Sequence, residues 1–513
     1  MATRPFRPTG SLLSRRAQPV RFARTNRRDA HSPHPGVVHI TAECWPFART
    51  GGLGEAVSTL ASVQATRGAT ASVIMPLYRS VREAACALEP IGSSFEVSVG
   101  SRVERARVFR TSNSHRGVCA FFVEHDGFFD RAGLYGERGT DYPDNVIRFA
   151  FFCRAALHAL PHLAPNATVL HAHDWHAALA PIYLRTEFAH DPRFVHLVAV
   201  LSVHNAAFQG HFPPEEMERV GLPPQLFDWR TLEWYGRVNL LKGGATFADA
   251  IVTVSPTHGE ELRTPEGGFG LHDTFEAARA RSSGILNGID LDVWNPATDH
   301  QVAATYSATD LSGKRQCKAA LQRVFGLPVR PDVPVVAMCA RLTEQKGIDL
   351  VLGVVPNVPN AQVIVVGEGE ARYADALAAL ARHHPDRVAV DLTFRDATEH
   401  VLLAGADMVL IPSRYEPCGL TQMRAQRYGA IPIARRVGGL ADTVRDGVTG
   451  FLFDEYTTEA LAGALTRALE AHEQPTTWEG YVRAAMAQDF GWDRSVGRYL
   501  EVYREALERR AAG

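Results

Sequence analysis

Cysteine is scarce. The chain of 513 residues has seven, an odd number, scattered and with no C-x-x-C pair. That excludes a disulfide framework and a zinc ribbon, and fits a reducing cytoplasm. Long apolar runs are missing too: none approaches the roughly 20 residues of a membrane span. An excess of charge of one sign is nearly absent, with a formal net of -2, so nothing global points to nucleic acid or an anionic membrane as a partner. Acids are missing from the first stretch, where eight arginines precede Asp29. Residues 1–35 resemble an organelle transit peptide in composition, which would place the protein in a plastid; the alternative is a disordered basic tail or a mis-chosen start.

What is present is a globular profile, 46% hydrophobic and 21% charged, at a length natural for two large domains. From residue 36 onward buried strands alternate with helices, the pattern of parallel α/β sheets. "VVHITAEC" (37–44), "ASVIMP" (71–76), "VCAFFVE" (118–124), "ATVLHAHD" (167–174), "LVAVLSVHN" (197–205), "DAIVTVSP" (249–256) and "SGILNGID" (283–290) read as strands, and "NVIRFAFFCRAALHAL" (145–160) as a helix. A second series runs through "VPVVAMCARL" (333–342), "AQVIVVGEGE" (361–370), "RVAVDLTF" (387–394), "ADMVLIPS" (406–413) and "AIPIARRVGG" (430–439). The expected architecture is two Rossmann-like, doubly wound domains facing a cleft, with the site at the carboxyl ends of strands. The divisions are 36–290 for the first domain, 291–312 for a linker, 313–494 for the second domain and 495–513 for a last helix.

The unusual clusters sit at those strand ends. Gly51-Gly52 lies where the first strand hands over to a helix, yet no third glycine completes a dinucleotide fingerprint and no Gly-Lys-Ser/Thr makes a Walker loop. A tight turn and an anion site at free helix amides are both open for it. "HAHDWHA" (171–177) reads as a metal site, as polar lining of a cleft or as packing, and its spacing is poor for a metal. His204 and Asn205, in "SVHNAAFQG", end a strand; His204 is either a structural hydrogen-bonder or a cleft residue. Arg341 and Lys346 flank a strand-to-helix turn, where two cations repel a helix start and call for an anion such as a diphosphate; the alternative is two unrelated surface charges. In "PSRYEPCGLTQ" (412–422) Glu416 stands on a turn stiffened by Pro417 and Gly419, with the amides of Leu420 and Thr421 available to an anion. Cys418 reads as a buried core thiol rather than a nucleophile, having no histidine beside it.

Eight stretches in one order carry a resemblance: "TGGLGE", "HAHDWHA", "HNAAFQG", "LLKGGATFADAIVTVSP", "ILNGIDLDVWNPATD", "RLTEQKG", "SRYEPCGLTQ" and "RRVGGLADTVRDG". Over residues 36 to 505 the chain resembles the bacterial glycogen synthases and plant starch synthases, α/β enzymes of GT-B architecture. The resemblance implies a hexosyltransferase that moves glucose from ADP-glucose to the 4-hydroxyl of an α-1,4-glucan with retention of configuration. It implies no cofactor and no metal: Arg341 and Lys346 match the pair that takes the charge of the departing diphosphate. Glu416, Asp174 and Asn287 match donor-site positions, and His204 the histidine near the reacting carbon. Gly51, Gly52, Cys418, Gly419, Leu420 and Thr421 match the diphosphate walls, Phe394 an aromatic that stacks on adenine where tyrosine is usual, and Glu43 an acid near the acceptor sugar. In the opening loop the family's Lys-Thr-Gly-Gly-Leu-Ala-Asp is here Arg-Thr-Gly-Gly-Leu-Gly-Glu, so Arg49 and Glu55 put donor affinity or base preference in question. The alternatives are a same-fold transferase using UDP-glucose or a small acceptor such as glucose-1-phosphate, and a non-catalytic glucan-binding homologue. Domain closure is expected to gate the reaction and keep water from the donor.

Overall fold

The structure is a computed structural model and describes residues 34–84, 87–111, 117–137, 139–358, 360–393 and 395–512. Two sheets organise the chain. The first is built from β1 (Gly36–Ile40), β2 (Thr70–Pro76), β3 (Leu88–Val99), β4 (Arg102–Thr111), β5 (Cys119–Glu124), β6 (Val169–His173), β7 (Val198–Val203), β8 (Ala250–Thr253) and β9 (Ser282–Gly284), in the order β9-β8-β7-β6-β1-β2-β5-β4-β3. Its central strands run parallel and are buried on both faces, which is why they read as continuous apolar runs. Three of its helices matter below: α1 (Gly52–Thr66), α2 (Asn145–Leu163) and α3 (Pro256–Glu261). The second sheet comprises β10 (Val335–Cys339), β11 (Gln362–Val366), β12 (Val388–Asp391), β13 (Met408–Ile411), β14 (Ile431–Arg435) and β15 (Phe451–Phe453), in the parallel order β12-β11-β10-β13-β14-β15. Its strand ends carry α4 (Thr421–Arg427) and α5 (Gly438–Thr443).

The last helix, α6 (Trp492–Ala512), repeats buried residues at Trp492, Val496, Tyr499, Tyr503 and Ala506. The alternating spacing of four and three lays one apolar stripe along the helix. That stripe packs with Val37, Val169, Val198 and Val200 on the first sheet. The chain passes between the cores at two adjacent places: Ile285 belongs to the α6 cluster and Ile289 to the second core, and Phe490 belongs to the second core and Trp492 to the α6 cluster. The two passages touch, with the Ile289 amide donating to the Phe490 carbonyl at 2.9 Å.

Two expectations change. Only Ser283 and Gly284 of "SGILNGID" are strand; beyond them the backbone keeps two bonds to Thr253 and Val254 and reaches the second core at Ile289. The antiparallel pair β3 and β4, and the short strand β15, were not anticipated. In β4 the inward positions Ala106 and Val108 alternate with exposed Arg105 and Arg107, so apolar density is low although the alternation is right. No described helix is long and apolar enough to cross a membrane.

Candidate active site

The two sheets present their strand ends to each other. On the first wall, Asp174 follows β6 at φ 55°, a left-handed conformation uncommon outside glycine. Its Oδ1 accepts the backbone N–H of His204 at 2.7 Å, which ties the ends of β6 and β7 together. Burial lifts the Asp174 carboxyl to about 7, against the pull of the His204 and Asn205 amides. Glu43 is also buried. Its carboxylate accepts the Thr50 amide and hydroxyl, both at 2.7 Å, and the Tyr135 hydroxyl at 2.6 Å, and so fixes the loop that carries Gly51 and Gly52.

The second wall is built around Glu416. Its Oε2 accepts from Lys346 Nζ at 2.6 Å and from Ser413 Oγ at 2.8 Å. Lys346 and Glu416 come from turns after β10 and β13, neighbouring parallel strands. A small cavity at those strand ends is lined by Lys346, Ser413, Glu416, Gly419, Leu420 and Thr421 among others. Leu420 and Thr421 open α4, whose first amides have no acceptor within the helix. Arg341 is exposed just beyond β10, with no ion-pair partner among the described residues. Burial pushes the Cys418 thiol up to about 12, so it stays protonated and unreactive. Asn287 is buried and its Oδ1 has no hydrogen-bond partner among the described residues, an orphaned polar atom of the kind that functional sites hold. Phe394 lies outside the described residues.

The walls meet at several points. A Cβ placed on Gly52 would lie 3.7 Å from Leu420 Cδ1. Ser255 Oγ, at the cap of α3, donates to the Pro417 carbonyl at 2.6 Å, and Thr257 donates to Asp442 through its amide and hydroxyl. Glu261 accepts the Gly438 amide at 2.8 Å. Gly438 has φ 43°, and a Cβ there would fall 2.0 Å from the Glu416 carbonyl oxygen. The "TVSP" and "VGGLADT" stretches are therefore a clamp behind the Glu416 turn, a role that no reading of the isolated sequence assigned to Ser255, Glu261, Gly438 or Asp442.

Arg49 and Glu55 are joined to each other, Nη1 to Oε1 at 2.6 Å. The other Glu55 oxygen pairs with Arg424 on α4, across the interface. Arg424 is buried against the Trp294 ring at 4.2 Å and is also held by both oxygens of Glu399 at 3.0 Å. Arg49 and Glu55, two of the three positions at which the opening loop departs from the pattern it resembles, are thus part of an inter-domain ion network. Replacing Glu399 with alanine leaves Arg424 with the half-exposed Glu55 alone and is expected to destabilise the fold by about 3–5 kcal/mol. Glu55→Gln leaves the buried Arg424–Glu399 pair intact and is expected to lose only about 1 kcal/mol or less. Urea unfolding of both variants checks the order; equal losses would contradict it.

Most of "HAHDWHA" turns inward. His171, His173 and His176 are buried, His176 between Tyr135 and Trp175 rings at 4.4 and 4.1 Å, while Asp174, also buried, is the member of this stretch whose carboxylate ties the two strand ends together. His39, His171 and His173 bring ligand atoms within 4.8 Å of one another. All six of their ring nitrogens already take part in hydrogen bonds, which a metal would have to break.

Residues 36–277 match the family described as starch synthase catalytic domain, and residues 324–484 match glycosyl transferases group 1. A glycogen synthase of Anaeromyxobacter dehalogenans (strain 2CP-1) is 44% identical over 478 residues, covering 91% of this chain and 98% of that one. The chain belongs to the glycogen synthase family. It is a glycosyltransferase, with the two-domain GT-B fold. Glycogen synthase 2 of Geobacter sulfurreducens is 40% identical over 483 residues, covering 92% of this chain and 99% of that one. The catalytic domain of starch synthase IV from Arabidopsis thaliana, bound to ADP and acarbose, has a TM-score of 0.85 and 32% identity, covering 93% of this chain and all of that one. A sucrose-phosphate synthase from Thermosynechococcus elongatus, at a TM-score of 0.59 and 17% identity over 93% of this chain and 100% of that one, shares the fold alone.

Proposed function

We propose that the protein transfers glucose from ADP-glucose to the non-reducing 4-hydroxyl of an α-1,4-glucan, with retention, in glycogen synthesis. The observation that carries the reading is the Lys346–Glu416–Ser413 cluster beside the amides of Leu420 and Thr421, facing the Gly51-Gly52 turn. The ADP and acarbose bound to the plant starch synthase support a nucleotide and a glucan as the ligands of this cleft. Arg341, Lys346 and the amides of Gly51, Gly52, Leu420 and Thr421 would take the charge of the leaving diphosphate, so no metal or cofactor is assigned a role. Glu416 and Asp174 would hold the sugar as it gains positive charge, Asn287 Oδ1 would accept one of its hydroxyls, and His204 would stand by the reacting carbon. The leaving phosphate would accept the proton of the attacking 4-hydroxyl, on the face from which it departs. The likeness to bacterial glycogen synthases supports a cytoplasmic site of action.

Purified protein mixed with glycogen and either ADP-glucose or UDP-glucose tests this by the nucleoside diphosphate released. Release from ADP-glucose is expected; silence with both donors would overturn the enzyme reading, and release from UDP-glucose alone would overturn the donor.

The Asp174 carboxyl adds a pH dependence. A positively charged transition state needs it ionised, so kcat/KM is expected to rise as pH climbs through about 7. Asp174→Asn should lack that limb, and the same limb in that variant would remove Asp174 from the profile. In the folded protein this group keeps a proton that the unfolded chain gives up, so its contribution to stability is full below about pH 4 and lost as pH rises through about 7.

A further inference from the structure

A chain of hydrogen bonds runs from the cleft to the C-terminal helix. His204 is half-buried, whereas His173, His39, Gln64 and Tyr503 are fully buried. His204 Nε2 and His173 Nδ1 are 3.0 Å apart, as are His173 Nε2 and His39 Nδ1. His39 Nε2 lies 2.8 Å from Gln64 Oε1, on α1. The Gln64 amide nitrogen donates to the Tyr503 hydroxyl on α6 at 2.9 Å, and that hydroxyl meets His171 Nδ1 at 2.8 Å.

A neutral imidazole has one N–H and one lone pair, so a chain of them has only two proton orders. Burial keeps the members neutral: it lowers His39 to about 4 and His204 to about 3, and holds His171 and His173 well below the usual range. The end of the chain then decides. Gln64 Oε1 can only accept, so His39 carries its proton on Nε2 and offers a lone pair at Nδ1. His173 must donate from Nε2 and accept at Nδ1. His204 must donate from Nε2, which leaves its lone pair on Nδ1, an atom with no partner among the described residues. Turning the Gln64 amide over would move every proton to the other nitrogen and make His204 Nδ1 a donor.

We propose that Gln64, anchored by Tyr503, is a positioning residue that acts through His39 and His173 to fix His204 in the Nε2–H tautomer, leaving Nδ1 as an acceptor for a substrate hydroxyl. Buried polar groups of this number are unfavourable unless every one is satisfied, and an aliphatic core would serve packing alone. The role of the tautomer in turnover rests on His204 standing at the reacting carbon; the tautomer itself does not.

Nitrogen-15 NMR of histidine-labelled full-length protein reads the tautomer directly, with His204→Gln used to assign its two ring nitrogens. The expected result is a protonated Nε2 and a bare Nδ1. A protonated Nδ1 would overturn the proposal whatever reaction the protein catalyses. Gln64→Met removes the acceptor and should mix the two tautomers and lower kcat by about tenfold or more, because an imidazole in the wrong tautomer offers a donor where an acceptor is needed. Gln64→Glu keeps an oxygen toward His39 and should restore both the single tautomer and the turnover lost in Q64M. Should Q64M fail to fold, Tyr503→Phe removes only the anchor of the amide nitrogen and is expected to show the same mixing. An unchanged His204 signal in a folded Q64M or Y503F protein would contradict the proposal.

Discussion

Replacing Glu416 with alanine is expected to lower kcat for glucose transfer by about a thousandfold or more, with the melting temperature nearly unchanged. The reason is geometric. Glu416 Oε2 holds Lys346 Nζ at 2.6 Å and Ser413 Oγ at 2.8 Å, so one carboxylate sets the place of the cation proposed to meet the leaving group. Removing it would free the ammonium and take away the proposed contact to the sugar at once. Lys346 is partly open to water and can be resolvated, so the fold loses little. Turnover in Glu416→Ala within tenfold of the parent would remove Glu416 from the mechanism.

Lys346→Ala is the second large effect, a fall in kcat/KM for ADP-glucose of about a hundredfold or more. It removes charge from the diphosphate side and leaves the buried Glu416 carboxylate with Ser413 alone. Arginine should not rescue it: a forked guanidinium differs in shape and reach from the point charge that sits on Oε2. Because Lys346 and Glu416 act as a unit, the double variant should lose far less than the product of the two single losses. Fully multiplicative losses would show that the 2.6 Å contact has no catalytic meaning.

The sequence made some of this legible and hid the rest for physical reasons. Parallel strands buried on both faces announce themselves as valine-rich runs, so β1, β2, β5, β6, β7 and the core of the second sheet are found from the sequence, although several of the stretches run on past the strand's carboxyl end into the loop that follows. The antiparallel β3 and β4 escaped because their outward faces are charged and only alternate positions are apolar. At the site, a polar or charged residue at a strand end is a local signal, and it singled out Asp174, His204, Lys346 and Glu416, the last two beside Gly347 and Pro417. Partners from remote parts of the chain leave no such signal. Arg49 and Glu55 stand six apart, yet the partner that explains them is Arg424, 369 positions beyond Glu55. Gln64 looks like an ordinary helix residue until His39 on one side and Tyr503, 439 positions away, show what its amide holds. "HAHDWHA" misled in the opposite sense: local density of histidine pointed to the cleft, whereas strand alternation and the turn send most of it into the core.

The cleft between the two sheets is proposed to transfer glucose from ADP-glucose to a glucan end with retention. Incubating the protein with ADP-glucose labelled in the glucose and a short maltooligosaccharide, then determining the linkage of the labelled residue by NMR, tests it most directly. A single labelled glucose joined by an α-1,4 bond at the non-reducing end, with one ADP released for each, is the predicted result. A β-linked product, or release of free labelled glucose with no glucan extended, would contradict it.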